Sequence, residues 1–232
     1  MLDNEFFIYG GLRPTVKIQY YSTASNVFFG GVLRTLKEKT FGSWNIEITE
    51  VKGKDTPATE GFDFYIFEHT VPKVLPKDGI IFLVNPDSSA DAGFSIVRRN
   101  VQVNDYDGDG ASLAIGDGEH PLVRYMDVEG IKVTQYSQVD EASLERYDVL
   151  MYYEGNPVFF ARNEADSKIA VMTFSLNMST LALSVYYPIL IYNMFNYYLP
   201  STLTEDLCDV YDTIEVLSLI HISEPTRRSY IS

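Results

Sequence analysis

The chain has 232 residues, 46% of them hydrophobic, and a formal charge of −14. That length and apolar fraction suffice to bury a full core in one α/β domain with attachments, while the acidity argues against nucleic acid and anionic membrane surfaces as partners, because phosphate binding needs clustered Lys and Arg. A single cysteine, Cys208, excludes a disulfide framework or a multi-cysteine metal centre within one chain.

Residues 1–14 (MLDNEFFIYGGLRP) alternate polar and aromatic residues and break at Gly10, Gly11 and Pro14. They read as the last strand of a preceding β-domain plus a linker, with no signal peptide at Met1. Residues 16–21 (VKIQYY) alternate as a strand, and a hydroxyl-rich turn, Ser22 to Asn26, follows. Val27, Phe28, Val32, Leu33 and Leu36 then share one face of a helix that Ser25 or Asn26 would cap. Residues 44–51 (WNIEITEV) are a second strand. Residues 62–68 (FDFYIFE) and 80–85 (IIFLVN) are continuous apolar runs, as expected of strands buried on both faces of a parallel sheet. Between them Pro72 and Pro76 leave room for one turn of helix at most.

Residues 86–119 hold Ser, Asp and Gly without a sustained period and read as an excursion over the surface, with one strand near 94–99. The segments 131–139, 148–154, 157–162 and 168–174 alternate and are separated by turn residues, a strand series. Residues 181–200 run 20 positions without a formal charge, which meets the length rule for a membrane span. Five tyrosines, Asn193, Asn196 and Pro188 are spread through that run, whereas spans concentrate polar-tipped aromatics at the two interfaces. It is therefore expected to be a soluble helix starting near residues 185–187, with Pro188 in its first turn. Together these elements predict an α/β fold: a doubly wound, mostly parallel sheet with additional antiparallel strands, over residues 15–200. Residues 201–216 read as a linker and the start of a following β-domain. Residues 217–227 (LSLIHISEPTR) match the translation of a transposon-end sequencing adapter, so 217–232 are set aside as non-native read-through and the chain is expected to be a fragment.

Two stretches offer chemistry. Asp105, Asp107 and Asp109 form the D-x-D-x-D-G opening of a calcium loop, but the closing carboxylate would fall at Gly116. A tight Gly/Asp turn is the plainer reading. Ser22, Thr23, Ser25 and Asn26 lie between the first strand and a helix, where doubly wound folds bind ligands and helix N-termini favour anions. The segment faintly resembles the phosphate loop of flavodoxins but lacks its glycine and final threonine, and a capped helix start is the plainer reading. No catalytic residue is assigned. Cys208 has no histidine beside it in the sequence, there is no G-x-S-x-G elbow, and His69 and His120 sit at turns near prolines.

The pieces KIAVMTFSL, LALSVYYPILIYNMFNYYLP, DFYIFEHTVPKVLPKDGIIFLVNP and EHPLVRYMDV, with LDNEFFIYGG before and VYDTIEV after, carry a family likeness. Together they resemble the glutamine amidotransferase-like domain of bacterial Bat-type membrane proteins with von Willebrand factor A domains. In this chain the family's acid after the strand is Ser175, and its aromatic-Pro helix start is Tyr187-Pro188. The resemblance implies a class I amidotransferase-like sheet that has lost its nucleophile, a pseudoenzyme. It also implies a membrane-associated, extracytoplasmic location, with anchors outside residues 1–216. The function expected from it is a non-catalytic interaction or scaffolding domain with a protein partner and no cofactor. The alternatives are a small-molecule or nucleotide-binding domain using the Ser22–Asn26 turn, and a calcium-stabilised module.

Overall fold

The computed structural model describes residues 15–23, 27–38, 44–53, 55–103 and 113–199. β1 (Thr15–Ser22) runs into α1 (Val27–Glu38) and returns as β2 (Asn45–Lys52), parallel to β1 in register from Thr15 opposite Asn45 to Ser22 opposite Lys52. β3 (Phe64–Glu68) and β4 (Ile80–Val84) follow with no α-helix between them, and every residue of both strands is buried. Burial on both faces is what their unbroken apolar runs require.

The chain then makes β5 (Ile96–Gln102), β6 (Leu113–Ile115) and β7 (Gln135–Val139), and continues through β8 (Asp148–Tyr153), β9 (Asn156–Glu164) and β10 (Ser167–Met172) to α2 (Tyr186–Tyr198). One sheet has the order β2-β1-β3-β4-β10-β9-β8-β6. Its first five strands are parallel, and β9, β8 and β6 each pair antiparallel to the preceding neighbour. β5 and β7 form a separate antiparallel pair. The parallel order 2-1-3-4-10 is that of doubly wound, flavodoxin-like sheets, and it reverses between β1 and β3.

The two faces are covered by different means. Val16, Ile18 and Tyr20 of β1, with Phe64, Ile66, Phe82 and Val84, point to a face closed by Phe29 and Leu33 of α1 and by Tyr187, Leu190, Ile191, Met194 and Phe195 of α2. The opposite face carries Tyr65, Phe67, Ile81, Leu83, Ile169 and Val171, and here no α-helix packs among the described residues. Ala92, Phe94, Leu144 and Tyr147, from short 3-10 turns and loops, fill that face. The expectation of a surface excursion over 86–119 therefore holds only in part. Ala92 and Phe94 are core residues, and β6 forms an unforeseen edge strand. Three residues give too short a period to register as a strand.

The uncharged run near the C-terminus is split. Residues Leu181–Leu183 make a 3-10 turn, Ser184 accepts from the Tyr186 amide at 3.2 Å, and α2 begins there with Pro188 in its first turn. A proline is tolerated at that point because first-turn amides lack intrahelical partners. The polar residues of α2 are occupied inside the protein. Asn193 Nδ2 donates to Leu122 O at 3.3 Å and Arg124 O at 2.8 Å, and the Tyr198 hydroxyl lies 3.2 Å from both Arg162 O and Ile169 O. No helix among the described residues is long and apolar enough to cross a membrane.

Candidate functional site

The carboxyl ends of the parallel strands put polar residues into two adjacent rows. Ser22, Glu68, Val84 and Met172 pair across β1, β3, β4 and β10. One position further along come Thr23, His69, Asn85 and Thr173. Period-two alternation sends Glu68 to the same face as Phe64 and Ile66, under the helices, where it has no solvent exposure.

Its carboxylate is met from β1. Tyr20 Oη donates to Glu68 Oε2 at 2.5 Å, and Ser22 Oγ donates to the same oxygen at 3.2 Å. Around them stand Phe29, stacked on Tyr20 with ring centroids 5.1 Å apart, and Tyr187, edge-on to Phe29 at 6.0 Å. Burial first, and then the negative charge of Glu68, hold the Tyr20 and Tyr187 phenols well above their ordinary value of 10. Both stay neutral throughout the physiological range. The Tyr187 hydroxyl and Thr173 Oγ1 are buried without a hydrogen-bond partner among the described residues.

His69 and Asn85 leave their strands in the left-handed region, at φ 62° and 44°. That conformation costs a residue with a Cβ on the order of 1 kcal/mol. Their backbones remain tied to the neighbouring strands, His69 N donating to Val84 O and Asn85 N to Met172 O. Asn85 Nδ2 lies 3.1 Å from His69 Nδ1 and donates to it, which puts the ring proton on Nε2, 3.8 Å from Glu68 Oε1. The result is a polar chain, Asn85–His69–Glu68–Tyr20/Ser22, across the point where the strand order reverses. Chemically it sets an imidazole beside a buried carboxylate, beyond direct hydrogen-bond distance, and it presents the partly exposed His69 ring outward.

Ser22 lies in this chain with its hydroxyl directed at Glu68, and Thr23 is exposed. Ser25 and Asn26 lie outside the described residues, as do Asp105, Asp107, Asp109 and Cys208. The closing position of the calcium-loop reading, Gly116, is described. A Cβ there would come within 2.9 Å of the Tyr152 ring and 3.1 Å of Val149 O, so the position faces β8 and has no room for a side-chain ligand. Among the described residues no three His, Cys, Asp or Glu gather as metal ligands. His120 is a turn residue: Nδ1 accepts from Leu122 N at 3.2 Å, and the ring tilts against Tyr197 at 5.1 Å. Sequence reasoning passed over Tyr20, Glu68 and Asn85. The available signal was a polar residue closing each of two successive apolar strands, FYIFE-H and IIFLV-N.

No family model and no curated protein matches this sequence. Solved structures match at the level of fold. A cytoplasmic protein of Salmonella typhimurium LT2 is similar at 10% identity with a TM-score of 0.56, over 79% of this chain and 99% of that one. A second cytoplasmic protein of Salmonella typhimurium is similar at 12% identity with a TM-score of 0.53, over 79% of this chain and 99% of that one. A provisionally assigned GMP synthase component of Thermoplasma acidophilum is similar at 11% identity with a TM-score of 0.48, over 78% of this chain and 96% of that one. At these identities the likeness concerns the fold alone, a doubly wound α/β sheet. One expectation is corrected by it. Two proteins sharing the fold are described as cytoplasmic, so the extracytoplasmic, membrane-associated location inferred from family likeness is withdrawn.

Proposed function

We propose that this domain is a non-catalytic interaction module, the amidotransferase-like unit of a multidomain bacterial protein of the Bat-type, von Willebrand A-containing kind, with a protein as its partner. The observation that carries this reading is the occupied switch point. In doubly wound sheets, ligands enter the crevice outside the carboxyl ends where strand order reverses. Here Glu68 fills that position at 0% exposure, under Tyr20 and Tyr187, with its Oε2 taken by two hydroxyls. A phosphate arriving near the start of α1 would meet that carboxylate, and Coulomb repulsion between like charges offsets what a helix N-terminus offers an anion.

The test is a thermal-shift panel with flavin mononucleotide, ATP, glutamine and calcium, together with an ammonia-release assay on glutamine. A ligand at 100 times its Kd stabilises a protein by about 2.7 kcal/mol, enough to displace the melting curve of a domain this size by a few degrees. The expected outcome is an unmoved melting temperature and background ammonia. A saturable shift that disappears in Ser22→Ala would overturn the reading.

A second reading rests on a separate observation. His69 and Asn85, both with positive φ and joined side chain to side chain, are strained polar residues at neighbouring strand ends, and such strain clusters at functional sites. On that reading the domain binds a small polar molecule against His69 rather than in the Ser22–Asn26 turn. The same panel repeated with His69→Ala separates the two, because only a ligand held by the imidazole loses its shift there.

A further inference from the structure

The opposite edge of the sheet carries a feature that the carboxyl-edge cluster does not touch. A cleft of about 1070 Å³ opens at the amino ends of β1, β3, β4 and β10, between the turn at residues 74–79 and the hairpin at 162–168. Part of its wall is apolar: Val74 is 59% exposed, and Leu75 and Leu199 stand near it. Lys17, Lys77 and Lys168 also line it, and among the described residues none of these ammonium groups has a carboxylate within ion-pair distance.

Four carboxylates share the lining. Two of them are committed inward: Asp63 accepts from the Lys17 amide at 2.8 Å, while Asp78 accepts from the Tyr65 hydroxyl and from the Gly61 amide, each at 2.7 Å. Asp91 and Asp166 stand exposed at the rim. The lining is balanced in formal charge, Lys17, Lys77, Arg162 and Lys168 against Asp63, Asp78, Asp91 and Asp166. Among the described residues, however, the three lysines lack a carboxylate partner and stand beside an apolar wall, which suits an occupant that brings both carboxylates and apolar side chains.

We propose that this cleft is the docking site of the chain's own segment 201–216. Leu199, which lines the cleft, is followed within two residues by that segment, STLTEDLCDVYDTIEV. It carries Glu205, Asp206, Asp209, Asp212 and Glu215 with no Lys, Arg or His, interleaved with Leu203, Leu207, Val210 and Ile214. At up to ~3.5 Å per residue the segment has ample reach across the cleft. Being tethered at the rim gives it an effective concentration in the millimolar range or above, so modest contacts suffice. Apolar residues cover Val74 and Leu75 while carboxylates pair with the three lysines. This concerns the amino edge alone and stands whether or not the carboxyl edge binds a ligand.

The sole cysteine sits inside the proposed occupant, which provides the experiment. The full chain is labelled at Cys208 with a benzophenone maleimide, irradiated at low micromolar concentration, and its cross-links are mapped by mass spectrometry. Cross-links within one chain to residues 74–79 or 162–168 are expected. Their yield should fall at least five-fold in the triple variant Lys17→Glu, Lys77→Glu, Lys168→Glu, with its fold verified by circular dichroism, and also in 0.5 M salt. Cross-links to other regions of the domain, a yield unmoved by charge reversal, or a predominance of cross-links between two chains would each overturn the proposal. The last result would assign the cleft to a second copy.

Discussion

Tyr20 and Glu68, 48 residues apart in sequence, meet through a 2.5 Å hydrogen bond from phenol to carboxylate inside the core. The pairing joins β1 to β3 across the reversal point and turns what could be a ligand crevice into packed structure. A buried carboxylate is tolerated only when donors surround it, and here two hydroxyls converge on one oxygen.

Tyr20→Phe keeps the ring stacked on Phe29 and deletes the donor. Hydrogen bonds to charged groups contribute ~1.5–3 kcal/mol, so the urea midpoint should drop by a corresponding amount. An unchanged midpoint would show that Ser22 satisfies the carboxylate alone.

Gly79 has φ +68°, and a Cβ there would lie 2.5 Å from Phe62 O and 2.9 Å from Asp63 O. Both obstacles are backbone at the start of β3, which has nowhere to move. Gly79→Ala is expected to cost more than ~2 kcal/mol and to reduce soluble yield, whereas Gly130→Ala, with φ +76° and open space, should cost only the ~1 kcal/mol of the dihedral. Equal losses in the two variants would refute the steric argument.

Asn193→Leu removes both bonds that tie α2 to the backbone at Leu122 and Arg124. One buried and one part-buried carbonyl lose a donor, for a cost of ~1–3 kcal/mol. Hydrogen exchange should accelerate in residues 119–126 before it does in β3 or β4; protection that stays equal there would argue against this anchoring role.

Alkaline pH should unfold the domain through its buried phenols. Burial pushes the Tyr147 hydroxyl up to about 12, against the opposing charges of Arg162 and Arg146, and that hydroxyl donates to Ala92 O. The neutral form is favoured in the folded chain, so this contribution is intact below pH 10 and is lost as pH rises through 12. The shift corresponds to at most ~3 kcal/mol. Tyr147→Phe should flatten the fall in stability over pH 10–12, read by urea titration at each pH.

At the acid end His120 works in the opposite direction. Burial lowers its ordinary value of 6.5, and Asp148 and Asp117 oppose this only in part. Its contribution is present above pH 6.5 and drains as pH falls below it, because the unfolded chain takes up the proton first. His120→Asn keeps an acceptor for the Leu122 amide without the titration. Its melting temperature should change less between pH 7.5 and 5.5 than the wild type's, and equal slopes would exclude His120 as the source.

The local patterns determined a good deal unaided. Unbroken apolar runs marked β3 and β4 as strands buried on both faces, and the placement of Pro188 and the tyrosines marked α2 as a helix packed on the sheet, because period and breaker residues are properties of a few neighbouring positions. The doubly wound class followed from their succession. What only the tertiary structure decided is which distant groups meet. Alternation alone would place Glu68 on the face of Phe64 and Ile66, but not that Tyr20 and Ser22 arrive from β1 to receive it. Nor does any local signal say that Ala92, Phe94 and Tyr147 cover the second face in place of a helix, or that Lys17, Val74 and Leu199 line one cleft. Those outcomes depend on strand order, and strand order is settled by burial summed over the whole sheet rather than by any one segment.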